Sequence, residues 1–194
     1  MTPVRCVARR VWASALFVAV PLVATTLGCG AEQRLAPTSG TNRCSLHSII
    51  LVRHAEKETQ GSPDPDLSPR GRIRAQRLAV VLGRTAVTRL VATEFKRTQE
   101  TLEPLAERLG KPIEVRAAAK TDDLVRELEA APAGSTTVVA THANVLPTIV
   151  RELGGVSLPG LAKDGTLEDD DYSRIVVLSI GCDTKASLVE LSSD

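Results

Sequence analysis

The sequence predicts a three-layer α/β/α sandwich with a mostly parallel central sheet and a C-terminal antiparallel hairpin. Three observations carry this expectation. Apolar runs of strand length alternate with stretches of helical periodicity between residues 48 and 155. The first run, Ile49-Ile50-Leu51-Val52, is apolar without interruption, as in a strand covered on both faces. Near the C-terminus, Ser173 to Ile180 and Ala186 to Leu191 flank the turn sequence Gly181-Cys182-Asp183 and read as a hairpin.

The elements follow in order. After the first strand comes a loop rich in Pro and Asp, Gly61 to Asp66. Ser68 then suits an N-cap and Pro69 a first helical position, and Ala75, Leu78, Ala79 and Leu82 repeat at helical spacing before Gly83. Val87 to Ala92 is the second strand. The next helix carries Leu102, Leu105, Ala106 and Leu109 on one face, ends at Gly110 and has to kink at Pro104 or accommodate it. Ile113 to Val115 is a short strand, and Leu124, Val125 and Leu128 mark a third helix that Thr121 or Asp122 could cap. Thr136 to Ala140 leads through Thr141-His142-Ala143-Asn144 into a helix closed by Gly154-Gly155. No internal repeat is present.

Three segments precede or compose the domain: a signal peptide over 1–28, a flexible tether over 29–45 and the folded domain over 46–194. Arg5, Arg9 and Arg10 stand before an apolar stretch from Val11 to Leu27 that ends in small residues, the pattern of an export signal. With Pro21 inside it, this stretch is short for a membrane span. Thr26-Leu27-Gly28-Cys29 resembles the lipobox of bacterial lipoproteins, which makes Cys29 the candidate for lipidation and implies a membrane-anchored protein facing the periplasm or cell exterior. Cys44 and Cys182 are then the pair left to the domain. They flank the first strand and the late strand, and could form a disulfide if those strands are antiparallel neighbours. No CxxC spacing supports a metal site on these cysteines.

Lys plus Arg number 24 and Asp plus Glu 23; without Arg5, Arg9 and Arg10, 21 basic face 23 acidic side chains, about −2 in net charge. After residue 28 the aromatic residues are Phe95 and Tyr172 alone. A nucleic-acid partner needs a basic face and stacking platforms, so that class is excluded. Nucleotide loops of the Walker and Rossmann types and a GxSxG nucleophile turn are also absent from the sequence.

Ligands bind open α/β sheets at the carboxyl ends of parallel strands. Three polar groups are expected there: Arg53-His54 after the first strand, Thr93-Glu94 with Arg97 after the second, and His142 after the fourth. Two guanidinium groups can clamp a phosphate dianion, and two nearby positive charges hold an imidazole neutral, with a lone pair for attack on phosphorus. Arg53 and Arg97 are therefore the candidate phosphate clamp and His54 the nucleophile. His47 reads as a packing residue, and the acidic run Glu168 to Asp171 as a solvated charge patch.

Ile50-Leu51-Val52-Arg53-His54-Ala55-Glu56-Lys57 resembles the signature of the histidine phosphatase superfamily, whose fold is called phosphoglycerate mutase-like. Leu67-Ser68-Pro69-Arg70-Gly71, Thr93-Glu94-Phe95-Lys96-Arg97-Thr98-Gln99-Glu100-Thr101 and Val138-Val139-Ala140-Thr141-His142-Ala143-Asn144 resemble its further blocks, in the same order. The resemblance is to a small, branch 1-type member. It implies a phosphatase that hydrolyses a phosphomonoester or phosphohistidine, without metal or cofactor, through transient phosphorylation of His54, and a phosphate-binding role for His142 beside Arg53 and Arg97. Partners would be a small phosphorylated substrate or a phosphoprotein. A phosphoglycerate-mutase-type phosphotransferase and a non-catalytic phosphate-binding lipoprotein are the alternatives. The proton donor is open: some relatives have an aspartate after the second histidine where this chain has Ala143, others use the loop after the third strand, and the candidates are Asp122, Asp123 and Glu56, with Glu58 weaker. Without a donor, good leaving groups such as phosphohistidine or an acyl phosphate are favoured. Oligomeric state is not legible.

Overall fold

The computed structural model describes residues 46–181 and 186–193. Cys29, Cys44 and Cys182, and with them the signal, the tether and the proposed disulfide, lie outside the described residues. The strands are β1 (His47–Arg53), β2 (Arg89–Thr93), β3 (Ile113–Arg116), β4 (Thr136–Thr141), β5 (Arg174–Ile180) and β6 (Ser187–Ser192), and the helices are α1 (Pro69–Leu82), α2 (Lys96–Leu109), α3 (Thr121–Glu129) and α4 (Val145–Gly154). They build one sheet in the order β3-β2-β4-β1-β5-β6. Pairs β2–β3, β2–β4 and β1–β4 are parallel, while β1–β5 and β5–β6 are antiparallel.

Both faces of β1 are covered, which explains its unbroken apolar run. Ile49 and Leu51 join Val139, Leu146 and Ile149 in a core under α3 and α4. Ile50 and Val52 point the other way and join Leu78, Leu82, Leu102 and Leu105 under α1 and α2. The expected three layers follow from this alternation. His47 sits at the start of β1, where its Nε2 donates to Leu128 O at 3.0 Å, so its role is structural.

Local signals account for most element boundaries. Ser68 Oγ accepts from Gly71 N at 3.1 Å, and Pro69 opens α1. Gly71 has a second reason to lack a side chain: a Cβ there would stand 2.0 Å from Glu56 O. That close approach lets Ser68 N bond Glu56 O at 2.9 Å and folds the loop after β1 onto α1. Gly110 ends α2 in the left-handed region, φ 62°, as its place after the last apolar residue predicts. α2 runs as one helix through Pro104.

Two boundaries differ from expectation. Val87 is buried beside α1 and α2, but strand pairing starts only at Arg89, because Thr88 is held to Thr136 by its N–H and hydroxyl before the ladder begins. The cap of α3 is neither Thr121 nor Asp122. A 3-10 turn, Ala118–Lys120, runs into the helix, Lys120 takes the cap position, and the Thr121 hydroxyl turns back to Ala118 O at 3.0 Å.

The register of β1 and β5 sets His47 opposite Ile180. The antiparallel adjacency on which the Cys44–Cys182 expectation depended is thus present, although the cysteines themselves are not described. Strands β2, β4 and β1 are consecutive neighbours, with Arg53 opposite Thr141 and Ala92 opposite Ala140. Their carboxyl ends therefore bring Thr93, His142 and Arg53-His54 to one edge.

Candidate active site

His54 follows β1 directly. Its backbone N donates to Thr141 O at 2.8 Å, and its Nδ1 lies 2.9 Å from Ala55 O. A carbonyl only accepts, so Nδ1 carries the proton and Nε2 keeps the lone pair. Ala55 is pinned in turn, since its N–H donates to Thr101 Oγ1 at 2.9 Å, and that hydroxyl donates to Arg97 O at 2.6 Å. The short helix motif after β2 thereby holds both the second arginine and the backbone beside the nucleophile candidate.

His142 faces His54 with ring centroids 5.5 Å apart and an interplanar angle of 61°. Its Nε2 is 3.0 Å from Thr93 Oγ1, which is 2.9 Å from Thr98 Oγ1, and the ring packs edge-on to Phe95 at 5.2 Å. Thr93, Thr98 and Thr101 are all buried. Their positioning roles were not anticipated, although Thr98 and Thr101, three apart on one helix, lie on the face that carries Leu102 and Leu105 toward the sheet.

The two arginines are held by different means. Arg53 is buried, and its Nη1 donates to the carbonyls of Glu168, Asp169 and Asp171 at 2.8, 3.2 and 3.3 Å. Its guanidinium lies 4.1 Å above the Tyr172 ring. Arg97 stacks 4.3 Å over Phe95, and its Nη1 lies 3.4 Å from Asp64 Oδ1. The Nε atoms of both arginines are buried and lack a hydrogen-bond partner among the described residues. Buried donors without partners suit an anion. The acidic run is therefore more than a solvated patch, for its carbonyl oxygens anchor Arg53, while Asp171 pairs with Arg174 at 2.8 Å. Tyr172 also stands 6.1 Å from His54, ring to ring. Nothing in sequence spacing links residues 168–172 to Arg53 across more than a hundred positions.

Burial lowers the pKa of His54 from 6.5 to about 3, with Arg53, Arg97 and His142 adding to the shift and the hydrogen bond to Ala55 opposing it. The neutral state is as expected, but desolvation rather than arginine charge is its first cause. Burial likewise lowers His142 to about 4, aided by Arg97 and opposed by Glu94 and Asp64. Both imidazoles are neutral from pH 5 upward, so kcat/KM is expected to show no histidine-dependent fall between pH 8 and 5 and to drop below pH 4. Stability follows the same groups. An unfolded chain takes up these protons near pH 6.5, the folded chain only near 4 and 3, so the contribution is full above 6.5 and is lost as pH falls through that interval. Melting temperature and rate profiles over pH 8 to 3 test both statements, and a kinetic pKa near 6.5 would contradict them.

The proton-donor candidates stand apart from this cluster. Glu56 is bound by Arg74 through both carboxylate oxygens, at 2.9 and 3.0 Å, and by Arg70 at 3.0 Å. Burial alone would raise its pKa, but the Arg74 hydrogen bonds and the two positive charges lower it, which keeps it a carboxylate without a proton to donate and makes it a structural clasp between β1 and α1. Asp122 and Asp123 are exposed on the first turn of α3, where Asp123 pairs with Arg126. Among the described residues neither bonds His54, His142, Arg53 or Arg97. The carboxylates that do reach the cluster are Asp64 and Glu94, whose charges act on Arg97 and His142. Glu94 Oε2 accepts from Ala118 N at 2.7 Å. Asp64 was not among the candidate site residues, because it lies in the Pro- and Asp-rich loop Gly61 to Asp66, whose conformation no periodic pattern fixes.

Among the described residues no group of three or more His, Cys, Asp or Glu side chains could hold a metal ion, and no helix is long and apolar enough to cross a membrane.

Solved structures show the fold class to which this arrangement belongs. A mycobacterial glucosyl-3-phosphoglycerate phosphatase in complex with inorganic phosphate is 18% identical, with a TM-score of 0.60 over 75% of this chain and 98% of that one. The protein histidine phosphatase SixA complexed with tungstate is 19% identical, with a TM-score of 0.59 over 75% and 97%. A phosphoglycerate mutase from Plasmodium falciparum is 17% identical, with a TM-score of 0.55 over 77% and 92%. The model of the histidine phosphatase superfamily (branch 1) matches residues 49–120, from β1 to the turn before α3. Residues 49–120 are thus similar to the histidine phosphatase superfamily (branch 1), and the fold is the one these solved structures share. No curated protein matches it.

Proposed function

We propose that the domain is a phosphatase that hydrolyses a phosphomonoester or a phosphohistidine through a phosphohistidine intermediate on His54. The observation that carries this reading is the tautomer: Nδ1–H donates to Ala55 O, so Nε2 offers its lone pair beside two arginines with buried, unpartnered Nε atoms. Nε2 attacks phosphorus, the bond to the leaving group breaks, and the leaving group departs with the electron pair. Arg53, Arg97 and the single N–H of neutral His142, on Nδ1 with Nε2 accepting from the Thr93 hydroxyl, stabilise the charge on the phosphoryl oxygens. Positive charge on the phosphorylated ring is shared with Ala55 O through Nδ1–H. Water then attacks phosphorus, the N–P bond breaks, its electron pair returns to Nε2, and the water's protons leave on the phosphate, from which solvent passes one to the leaving-group anion. The two guanidinium groups supply the charge that a metal ion supplies elsewhere, so the reading is metal-independent.

The test is rapid mixing with an aryl phosphate and quenching in alkaline denaturant, in which phosphohistidine survives. A phosphoryl group on His54 is expected, and its absence during turnover contradicts the mechanism. The two named phosphatases among the similar structures act on unlike substrates, and Glu56, held as a carboxylate by two arginines, has no proton to give, which favours leaving groups that depart with little protonation, a phosphohistidine above an alkyl ester.

The same reading includes export and a lipid anchor at Cys29, supported by the basic and apolar pattern of residues 1–28. Cys29→Ser should release the protein from the membrane fraction, and unchanged attachment would rule the anchor out.

A further inference from the structure

We propose that Asp64 is a specificity-determining residue, which excludes substrates bearing a second anionic group near the transferred phosphoryl and so restricts the site to neutral or cationic leaving groups. The inference rests on the phosphatase reading above and names the substrate class of that site.

Asp64 meets the arginine that the reading assigns to phosphate. Its Oδ1 lies 3.4 Å from Arg97 Nη1, and both of its carboxylate oxygens lie 3.2 Å from Lys96 N, at the start of α2. A guanidinium beside a peptide N–H is what a substrate carboxylate or second phosphate would bind. Here the chain's own carboxylate holds both donors. Arg97 Nε stays buried without a partner, so the guanidinium keeps a donor for one phosphoryl group.

The contact is built rather than casual. Asp64 stands between Pro63 and Pro65, whose rings restrict the backbone, and Pro65 is buried. Ser62 Oγ accepts from Asp64 N and donates to Asp64 O, each at 3.1 Å. On the other side, Lys96 Nζ pairs with Asp66 Oδ1 at 3.0 Å, and Glu58 N donates to Asp66 O at 2.9 Å, closing the loop. Glu94 adds a second negative charge that acts on the same two groups, Arg97 and His142. A substrate carboxylate on this side would meet two like charges in a partly desolvated position, and such juxtaposition is strongly unfavourable.

The experiment compares hydrolysis of phenyl phosphate, whose leaving group is neutral, with that of 3-phosphoglycerate, which carries a carboxylate close to the ester. In Asp64→Ala the ratio of kcat/KM for 3-phosphoglycerate to that for phenyl phosphate should rise at least about tenfold. Asp64→Asn, which removes charge but keeps shape, should move the ratio in the same direction. An unchanged ratio in both, or a rise confined to alanine, overturns the proposal. The wild-type protein gives a test that needs no variant: 3-phosphoglycerate should compete with phenyl phosphate no better than inorganic phosphate does, and tenfold tighter competition overturns it. If wild-type protein does not hydrolyse phenyl phosphate, the phosphatase reading fails instead. Calorimetric titration of inorganic phosphate and 3-phosphoglycerate into wild type and Asp64→Ala then still decides the role of Asp64 by the same ratio.

Discussion

His54→Ala is expected to lower kcat by about four orders of magnitude or more and to abolish the trapped phosphoenzyme, because no remaining step in the proposed route can form the covalent intermediate. Binding should survive. The groups that would hold the phosphoryl are Arg53, Arg97 and His142, and none depends on the His54 side chain for its position: Arg53 hangs on loop carbonyls, Arg97 on Asp64 and Phe95, His142 on Thr93 and Phe95. Inorganic phosphate should therefore bind the variant with affinity within a few-fold of wild type, while the rate falls. This split between binding and rate distinguishes a nucleophile from a residue that only shapes the pocket. If the variant keeps more than a hundredth of the wild-type kcat, the nucleophile is elsewhere.

The sequence made the frame of the site legible because the frame is made of local pattern. Ile49 to Val52 had to be a strand covered on both faces, Ser68-Pro69 had to start a helix, and polar residues directly after parallel strands had to collect at one edge. That logic reaches Arg53, His54 and His142, which the structure brings together, with Arg97 one helical turn away. It does not reach the groups that act from loops. Tyr172 and the carbonyls of Glu168, Asp169 and Asp171 serve Arg53, and Asp64 serves Arg97, through contacts between segments whose spacing carries no period. The carboxylates offered as candidate proton donors show the same limit from the other side. Glu56 lies two residues after the nucleophile candidate, yet two arginines on α1, facing the loop because Gly71 in its first turn packs on Glu56 O, take up its charge. Asp122 and Asp123 follow the third strand as expected, but a 3-10 turn intervenes and leaves them on an exposed first turn.

Arg53→Lys is expected to lower kcat/KM by about three orders of magnitude, within the range found for arginines that stabilise a transferring phosphoryl. Charge is conserved in this variant, so the size of the loss measures geometry. The Arg53 guanidinium works on two sides: Nη1 donates to the carbonyls of Glu168, Asp169 and Asp171, which leaves its Nε edge, buried and unpartnered, for an anion. A lysine has one nitrogen on a flexible stem. It can satisfy the three carbonyls or approach the phosphoryl, but a single point charge cannot span both, and it loses the planar stack over Tyr172. Two readouts should move together. Phosphate affinity should fall with the rate, unlike in His54→Ala, and the segment 163–172 should become more open to proteolysis as its anchor is lost. Arg97→Lys provides the contrast, since its loop partner is the carboxylate of Asp64, to which a lysine can also bind. There the loss should be smaller and segment 163–172 should keep its protection. Equal losses and equal protection in the two lysine variants would mean that the carbonyl anchoring of Arg53 is incidental, and that charge alone holds the phosphoryl.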